Sequence, residues 1–152
     1  MPPALLEVDR LVVEFTTDTG VVQAVNDISF ELQPGQTLGI VGESGSGKSV
    51  ANLAVMGLVP QPPGRIVSGD ISFRGRNLRN LSRQDWSAIR GKQISMIFQD
   101  PMTALNPYMT IADQMREVTQ RHLGHRRRVA IDHAVEMLER VGIPAAGERV
   151  FD

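Results

Sequence analysis

The amino-acid sequence predicts a mixed α/β fold, and three observations lead to this prediction. Residues 5–32 contain two stretches rich in valine and leucine, as β-strands do. Residues 37–56 have the pattern of a short apolar strand, a glycine-rich loop and a helix. Residues 110–141 carry the apolar spacing of two amphipathic helices. A composition of 41% hydrophobic and 22% charged residues over 152 positions is ordinary for a globular domain with a core.

The first half of the chain reads mainly as strands. Leu5 to Phe15 and Val21 to Leu32 are predicted strands joined by a polar turn, with an irregularity at Asn26-Asp27 in the second. The Pro-Gly pair within Gln33 to Gln36 suits a type II turn. The later predicted elements are a strand at Thr37–Val41, a helix to about Gly57, a three-proline loop at residues 59–64, an antiparallel edge strand at Ile66–Arg74 and a strand at Gln93–Phe98.

Three helices are predicted in the second half. Ser82 and Asp85 form a capping-box-like pair at the start of a short helix whose apolar face includes Trp86 and Ile89. Thr110 caps a helix that runs to about His122, with Asp113 placed to favour it. The third helix spans His125–Val141 and stops at Gly142; its predicted buried stripe is Val129, Ala134, Val135, Leu138 and Val141.

Residues Gly42 to Ser49 form a complete G-x-x-x-x-G-K-[ST] phosphate loop between the predicted strand and helix. Glycines allow the backbone to curl closely around phosphate oxygens, and a helix start presents N–H groups and a positive dipole end to them. Lys48 offers a cation to the β- and γ-phosphates, and Ser49 offers a hydroxyl to Mg²⁺. The sequence therefore predicts a nucleoside triphosphate site; the alternative is a glycine-rich turn without a ligand.

Charge and composition exclude other classes. A net charge of −1 gives no global field for nucleic acid, so no nucleic-acid partner is expected. The absence of cysteine excludes disulfides and thiolate metal sites within this chain. No apolar stretch approaches the ~20 residues needed to span a bilayer, and residues 1–7 lack the basic region of a signal peptide. His122, His125 and His133 lack metal-like partners and are predicted to be ordinary helix or helix-end residues.

A second motif covers Met96 to Pro107, where a predicted strand ends in Gln99 and a proline-punctuated loop follows. The amide could coordinate Mg²⁺ or hold a water, or it could simply cap the end of the strand. Together with the phosphate loop, this segment resembles the nucleotide-binding subunits of ABC transporters, whose Walker A loop matches Gly42–Ser49 and whose Q-loop glutamine matches Gln99. The wording Phe-Gln-Asp-Pro-Met-Thr-Ala-Leu-Asn-Pro is similar to the oligopeptide, dipeptide and nickel importers.

The resemblance implies a P-loop NTPase core of the ABC ATPase type, with an antiparallel β subdomain and the start of a helical arm, truncated. Residues 1–98 would form the nucleotide-binding core, and residues 99–152 the Q-loop and a partial helical subdomain. Phe15 is the match for the aromatic that stacks on adenine, although it could equally be a core residue. The implied nucleotide-binding residues are Phe15, Gly42, Glu43, Ser44, Gly45, Ser46, Gly47, Lys48, Ser49 and Val50. Lys48 and Gln99 are the implied catalytic residues, and Ser49 and Gln99 are the implied Mg²⁺ ligands.

The implied cofactors are ATP and Mg²⁺. The implied partners are membrane permease subunits, a second ATP-binding subunit in a head-to-tail dimer and, indirectly, a solute-binding protein. The resemblance places such a subunit peripherally at the cytoplasmic face of the bacterial inner membrane. Transport of peptides is favoured, with nickel or another small solute as an alternative cargo.

The family's Leu-Ser-Gly-Gly element, its strand ending in Asp-Glu and its switch histidine do not occur in these 152 residues. Asp100 is a weak substitute for the acidic strand end, because Gln99 intervenes. We therefore expect weak ATP binding without turnover by this chain alone, and marginal solubility. A non-catalytic nucleotide-binding fragment and a P-loop kinase or GTPase are the alternatives. An Asn-Lys-x-Asp guanine reader is absent, and Arg126-Arg-Arg128 is the one arginine cluster that a kinase lid could use.

Overall fold

The computed structural model describes residues 4–100 and 104–152. Its elements are β1 (Leu6–Thr17), β2 (Gly20–Leu32), α1 (Lys48–Val55), β3 (Gly64–Phe73), β4 (Arg76–Asn77), α2 (Arg83–Ile89), α3 (Ile111–Leu123), α4 (Arg127–Arg140) and α5 (Ala146–Arg149). The chain divides into two compact units, Met1–Ser87 and Ala88–Asp152. None of the helices within the described ranges is long and apolar enough to cross a membrane. The domain boundary predicted at residues 98/99 stays a prediction.

The first unit is built on an antiparallel sheet with strand order β2-β1-β3-β4. Strand β1 buries Val8, Leu11 and Val13; a register shift between Val8 and Leu11 keeps these two residues on the same face although they are three positions apart. Strand β3 adds Ile71 and Phe73 to the core. Helix α1 contributes three buried residues on one face, Ala51, Ala54 and Val55. The predicted strands in residues 5–32 and 66–74 are thus confirmed, and so is the antiparallel pairing of β3. The edge position predicted for residues 66–74 is wrong, because β3 pairs with β1 on one side and with the two-residue β4, which lies at the edge, on the other.

Bulges interrupt the three long strands. Register shifts occur in both ladders of β1, and left-handed backbone is found at Arg10 (φ 45°) and Asp27 (φ 52°). This confirms the irregularity predicted at Asn26-Asp27. On β3, Gly69 (φ 89°) approaches β1 so closely that a Cβ would lie 2.6 Å from the Asp9 carbonyl oxygen. The Arg79 guanidinium donates hydrogen bonds to the carbonyls of Gly69 and Ile66, which fixes this irregular stretch of β3.

The predicted turns and helix starts agree with the structure. Gln36 N–H donates to the Gln33 carbonyl at 3.1 Å and Gly35 has φ 78°, as a type II turn requires. The Asp85 N–H donates to Ser82 Oγ at 3.2 Å, while the Ser82 N–H donates to Asp85 Oδ2 at 3.2 Å, which completes the capping box of α2. Thr110 Oγ1 accepts from the Asp113 N–H at 3.1 Å and caps α3.

The predicted strand at Thr37–Val41 is wrong for this structure. These residues are irregular and exposed, and 92% of Val41 is accessible to solvent. A strand exists only when a neighbouring strand accepts and donates its backbone hydrogen bonds, and no described residue pairs with this segment.

The predicted strand at Gln93–Phe98 is wrong for the same reason. An isolated parallel bridge between Arg90 and Ile94 is the single ladder contact described for this segment. Ile97 is 95% exposed. The apolar composition of both segments predicted strands, but an apolar composition does not provide a neighbouring strand for either segment to pair with.

The second unit packs α3, α4 and α5 around a small core. Ala112, Ala134 and Val150 are buried together, and the half-buried hydrophobic residues packed on them are Met115, Ile131, Val135 and Leu138. Gly142 (φ 81°) follows the end of α4, as predicted.

The predicted stripe on α4 is correct for Ala134, Val135 and Leu138 but wrong for Val129 and Val141. Val129 is 49% exposed and Val141 is 74% exposed. Ala130 is buried instead, because it and Ala134 are four residues apart and therefore share one helix face. Val141 lies just past the last helical residue, Arg140.

Candidate nucleotide-binding site

The phosphate loop leads directly into α1, which begins at Lys48. Gly47 is the N-cap residue and has left-handed backbone, with φ 89°. A Cβ at this position would collide with the Ala24 carbonyl oxygen on β2. Gly47 is therefore required for two reasons: the dihedral angle and the close approach of the loop to the sheet.

The side chain of Lys48 forms hydrogen bonds to the phosphate loop. Its Nζ donates to the carbonyl oxygens of Gly42 and Glu43, each at 2.6 Å, and to Ser46 Oγ at 3.1 Å. These bonds use the three donors of the ammonium group and hold it against the first half of the loop. The positive charge is thus held against residues 42–46 of the loop.

The start of α1 is open. No side chain caps it, and its first turn contains no acidic residue. The first N–H groups of a helix have no partner inside the helix, and the helix dipole makes this end positive. Ser49 and Val50 follow Lys48 in this turn, and Ser49 is exposed. Such an end attracts anions, and phosphate oxygens above all.

A cavity of about 730 Å³ adjoins the loop within the first unit. Gly42, Gly45, Ser46, Gly47 and Lys48 form one part of its wall. The apolar part of the wall comes mainly from β2 and from the irregular segment before the loop, and its side chains include Val25, Ile28, Phe30, Leu38 and Ile40. Glu43 and Ser44 lie on the exposed outer turn of the loop, where the Ser46 N–H donates to the Glu43 carbonyl at 3.2 Å.

Phe15 lies in β1, where it is half-buried and pairs with Val22 and Gly64. Its ring rests on Gly64, with Cε1 2.8 Å from the position that a Cβ of Gly64 would take. Phe15 is not among the described residues that line the cavity beside the phosphate loop. Its stacking on adenine stays a prediction.

Gln99 belongs to the second unit and is exposed. It lines a small open pocket with Phe98, Asp100 and Ala104. Pro101, Met102 and Thr103 of the predicted loop lie outside the described residues. The roles predicted for Gln99 in Mg²⁺ binding and in coupling stay predictions, as does the weak acidic role of Asp100.

Sequence reasoning missed Gln114, which organises the loop before α3. Its Oε1 accepts from the Asn106 N–H at 2.9 Å, and its Nε2 donates to the carbonyls of Asn106 and Met109, each at 3.1 Å. The side-chain amide of Gln114, in the first turn of α3, therefore holds loop residues 106–109 in place. No sequence signal distinguishes this glutamine from an exposed helix residue.

The histidines form no metal centre. Within residues 4–100 and 104–152 no group of three or more histidine, aspartate or glutamate side chains is arranged to hold a metal ion. His125 and His133 instead contact each other edge to face, with ring centroids 5.8 Å apart.

A glycine loop at the start of a helix, closed by a lysine, defines a P-loop nucleotide-binding protein. Comparison with known proteins narrows the class. Residues 25–152 match the ABC transporter family (ABC_tran), and the chain belongs to this family. Because the chain belongs to this family, the kinase and GTPase alternatives are excluded.

Curated relatives are transport proteins. The oligopeptide transport ATP-binding protein OppD of Bacillus subtilis (strain 168) is 50% identical over 96% of this chain. The dipeptide transport ATP-binding protein DppD of the same organism is 48% identical over 96%, and OppD of Escherichia coli (strain K12) is 49% identical over 97%. The chain spans 41%, 44% and 43% of these three proteins' lengths, respectively.

Solved structures with the same fold are ABC cassettes. A dimeric structure of MJ0796, described as a bacterial ABC transporter cassette, matches with a TM-score of 0.72 and 18% identity over 88% of this chain and 56% of that chain. The dimeric post-hydrolysis structure of MJ0796, bound to ADP and Pi, matches with a TM-score of 0.70 and 19% identity. These likenesses establish the predicted fold class.

Proposed function

We propose that this chain is the nucleotide-binding part of the ATP-binding subunit of an ABC importer for peptides, and that it binds MgATP at Gly42–Val50. The observation that carries the proposal is the position of Lys48 Nζ, 2.6 Å from two loop carbonyls and next to the open start of α1. A cation and a set of unpaired N–H groups on one side of a loop match a polyphosphate.

Different residues would contact different parts of the bound MgATP. Lys48 can exchange its carbonyl partners for phosphate oxygens, because an ammonium group attracts an anionic oxygen more strongly than a neutral carbonyl oxygen. The N–H groups of Gly45 and of Gly47 to Val50 would surround the remaining oxygens. Ser49 presents a single exposed hydroxyl, which fits Mg²⁺ because this ion keeps several waters and few protein ligands. Bound Mg²⁺ would neutralise phosphate charge.

The remaining roles follow from the relatives' names and from the resemblance. Gln99 would contact Mg²⁺ and relay nucleotide state to membrane permease subunits. A second ATP-binding subunit would complete a head-to-tail dimer at the cytoplasmic face of the membrane, and a solute-binding protein would act indirectly. The names of OppD and DppD support oligopeptides or dipeptides as cargo.

Turnover requires a group that orients the attacking water as well as groups that neutralise charge. Lys48, Ser49 and the loop amides supply the second function, whereas no described side chain can be assigned to the first. We therefore expect MgATP binding by these 152 residues without steady hydrolysis. Hydrolysis that Lys48→Ala abolishes would contradict this expectation.

The test compares the chain's two lysines, Lys48 and Lys92. Calorimetric titration with MgATP should show at least a tenfold weaker Kd for Lys48→Ala, since hydrogen bonds to charged groups contribute about 1.5–3 kcal/mol. Lys92→Ala removes the same charge from an exposed position and should leave the Kd unchanged. Equal binding by both variants would overturn the proposed site.

A further inference from the structure

The corner between α3 and α4 concentrates positive charge. We define the basic corner as residues Leu123–Val129, which contain three consecutive arginines, Arg126, Arg127 and Arg128. All three are exposed, and none forms an ion pair with any described carboxylate. The whole chain has a net charge of −1, so this is a local feature.

Nothing described within the chain offsets this charge. The arginines stand at the N-terminal end of α4, where the helix dipole disfavours cations, and the first turn has no acidic residue. The next carboxylate along the helix, Asp132, makes no ion pair with Arg128. Adjacent guanidinium groups also repel each other. The three guanidinium groups are therefore available to an anion outside the chain.

Apolar side chains flank the arginines. Leu123, the last residue of α3, is 58% exposed, and Val129, in the first turn of α4, is 49% exposed. Cations beside exposed aliphatic groups match the boundary between lipid headgroups and acyl chains. A nucleic-acid surface would instead favour aromatic side chains for base stacking, and the basic corner contains no phenylalanine, tyrosine or tryptophan.

We propose that the basic corner binds an anionic lipid surface. The positive charges of the guanidinium groups would pair with headgroup phosphates, while Leu123 and Val129 enter the interface. This surface goes beyond the nucleotide site, because none of its residues belongs to the phosphate loop. It gives the chain a membrane contact that does not require a protein partner.

The test is co-sedimentation of the purified chain with vesicles of phosphatidylcholine containing phosphatidylglycerol, and with vesicles of phosphatidylcholine alone. Each arginine near an anionic surface contributes about a fivefold factor, so the variant Arg126→Gln/Arg127→Gln/Arg128→Gln should bind the anionic vesicles about 100-fold more weakly. The matched control Arg83→Gln/Arg140→Gln/Arg149→Gln makes the same charge change at dispersed exposed positions and should retain nearly full binding.

Further arms separate the alternatives. Binding by the wild type should fall with added salt, and Arg126→Lys/Arg127→Lys/Arg128→Lys should retain most of it. Equal losses in the cluster and control variants, or equal binding to neutral vesicles, would overturn the proposal. Tighter binding to polyglutamate or to an oligonucleotide than to anionic vesicles would replace the lipid with that partner.

The two proposals fail independently. The cluster variant should keep the wild-type Kd for MgATP and the wild-type circular dichroism spectrum, and Lys48→Ala should keep vesicle binding. Loss of MgATP binding in the cluster variant would show general damage. In that case Leu123→Ser/Val129→Ser decides the question: it should weaken anionic-vesicle binding with every arginine in place, and unchanged binding would count against the lipid interface.

Discussion

Helices α3 and α4 begin with nearly the same backbone and opposite chemistry. The N-cap of α3, Thr110, has φ −65° and ψ 157°, and the N-cap of α4, Arg126, has φ −69° and ψ 155°. Thr110 accepts a hydrogen bond from Asp113, and α3 carries acid in its first turn and base in its last. Arg126 caps nothing, and α4 begins with cations. Local energetics explain the start of α3 but not that of α4.

The phosphate-loop helix α1 shares the open start of α4, since neither has a side-chain cap. The capped starts of α2 and α3 satisfy their own N–H groups and need no ligand. A helix start whose N–H groups are not satisfied by its own sequence, and which has cations beside it, is therefore suited to binding an external anion. In α1 the glycine loop favours a phosphate ligand, whereas in α4 the arginines and their aliphatic neighbours are the features that favour an anion.

Among these helix starts, the largest effect is expected for a substitution of Gly47, the N-cap residue of α1. Gly47→Ala should abolish measurable MgATP binding and lower the melting temperature, because left-handed strain of about 1–3 kcal/mol adds to the collision with Ala24. Gly45→Ala is the matched control: Gly45 has φ 82°, but a Cβ there meets nothing within 4 Å. Gly45→Ala should therefore show only the effect of the left-handed strain, without the effect of a collision. Thermal melts and calorimetry distinguish the two, and equal effects would refute the close approach to β2.

Removing the cap of α3 should have a moderate effect. Thr110→Ala deletes the acceptor for the Asp113 N–H and should destabilise the chain by about 1 kcal/mol. Thr110→Ser keeps the acceptor and is expected to lie within a few tenths of a kcal/mol of the wild type. Chemical denaturation measures both, and an alanine variant as stable as the serine variant would show that the cap is not needed.

Adding a cap to α4 should have the opposite sign. Arg126→Ser places a hydroxyl on a backbone that already has capping dihedrals and removes a cation from the positive helix end, so we expect a gain of about 1 kcal/mol. The same variant should bind anionic vesicles about fivefold more weakly. A gain in stability with lost lipid binding would support a functional reason for Arg126. A loss of stability would show that a hydroxyl at this position does not cap α4 as Thr110 caps α3.

The smallest expected effect is a change in how stability depends on pH, caused by the capping box of α2. Hydrogen bonds from the Ser82 hydroxyl, and then from the Arg76 guanidinium, hold the pKa of Asp85 below its usual value near 3.8. The carboxylate therefore stabilises the folded chain at every pH above about 4, and this contribution is lost as the pH falls through the lower folded pKa. Asp85→Asn and Ser82→Ala should each flatten the acid side of a stability–pH curve. A curve identical to that of the wild type would exclude this role.

Local patterns predicted the features that need only neighbouring residues. The bulge at Asp27, the turn at Gly35 and the caps at Ser82 and Thr110 each depend on a few consecutive side chains, so their chemistry is legible in the sequence. The phosphate loop is legible for the same reason. The Gln114 clamp is not, because an amide reaching back to Asn106 has no distinctive pattern.

Local sequence patterns therefore specified a phosphate loop with Lys48 and Ser49, the strands in residues 5–32 and 66–74, and an arginine cluster. Which apolar segments pair as strands depends on the rest of the fold. Thr37–Val41 and Gln93–Phe98 have strand-like composition but remain irregular, whereas β1 is bonded on both sides. The physical reason is that a helix satisfies its backbone internally, while a strand depends on hydrogen bonds to another strand, which no local pattern can specify.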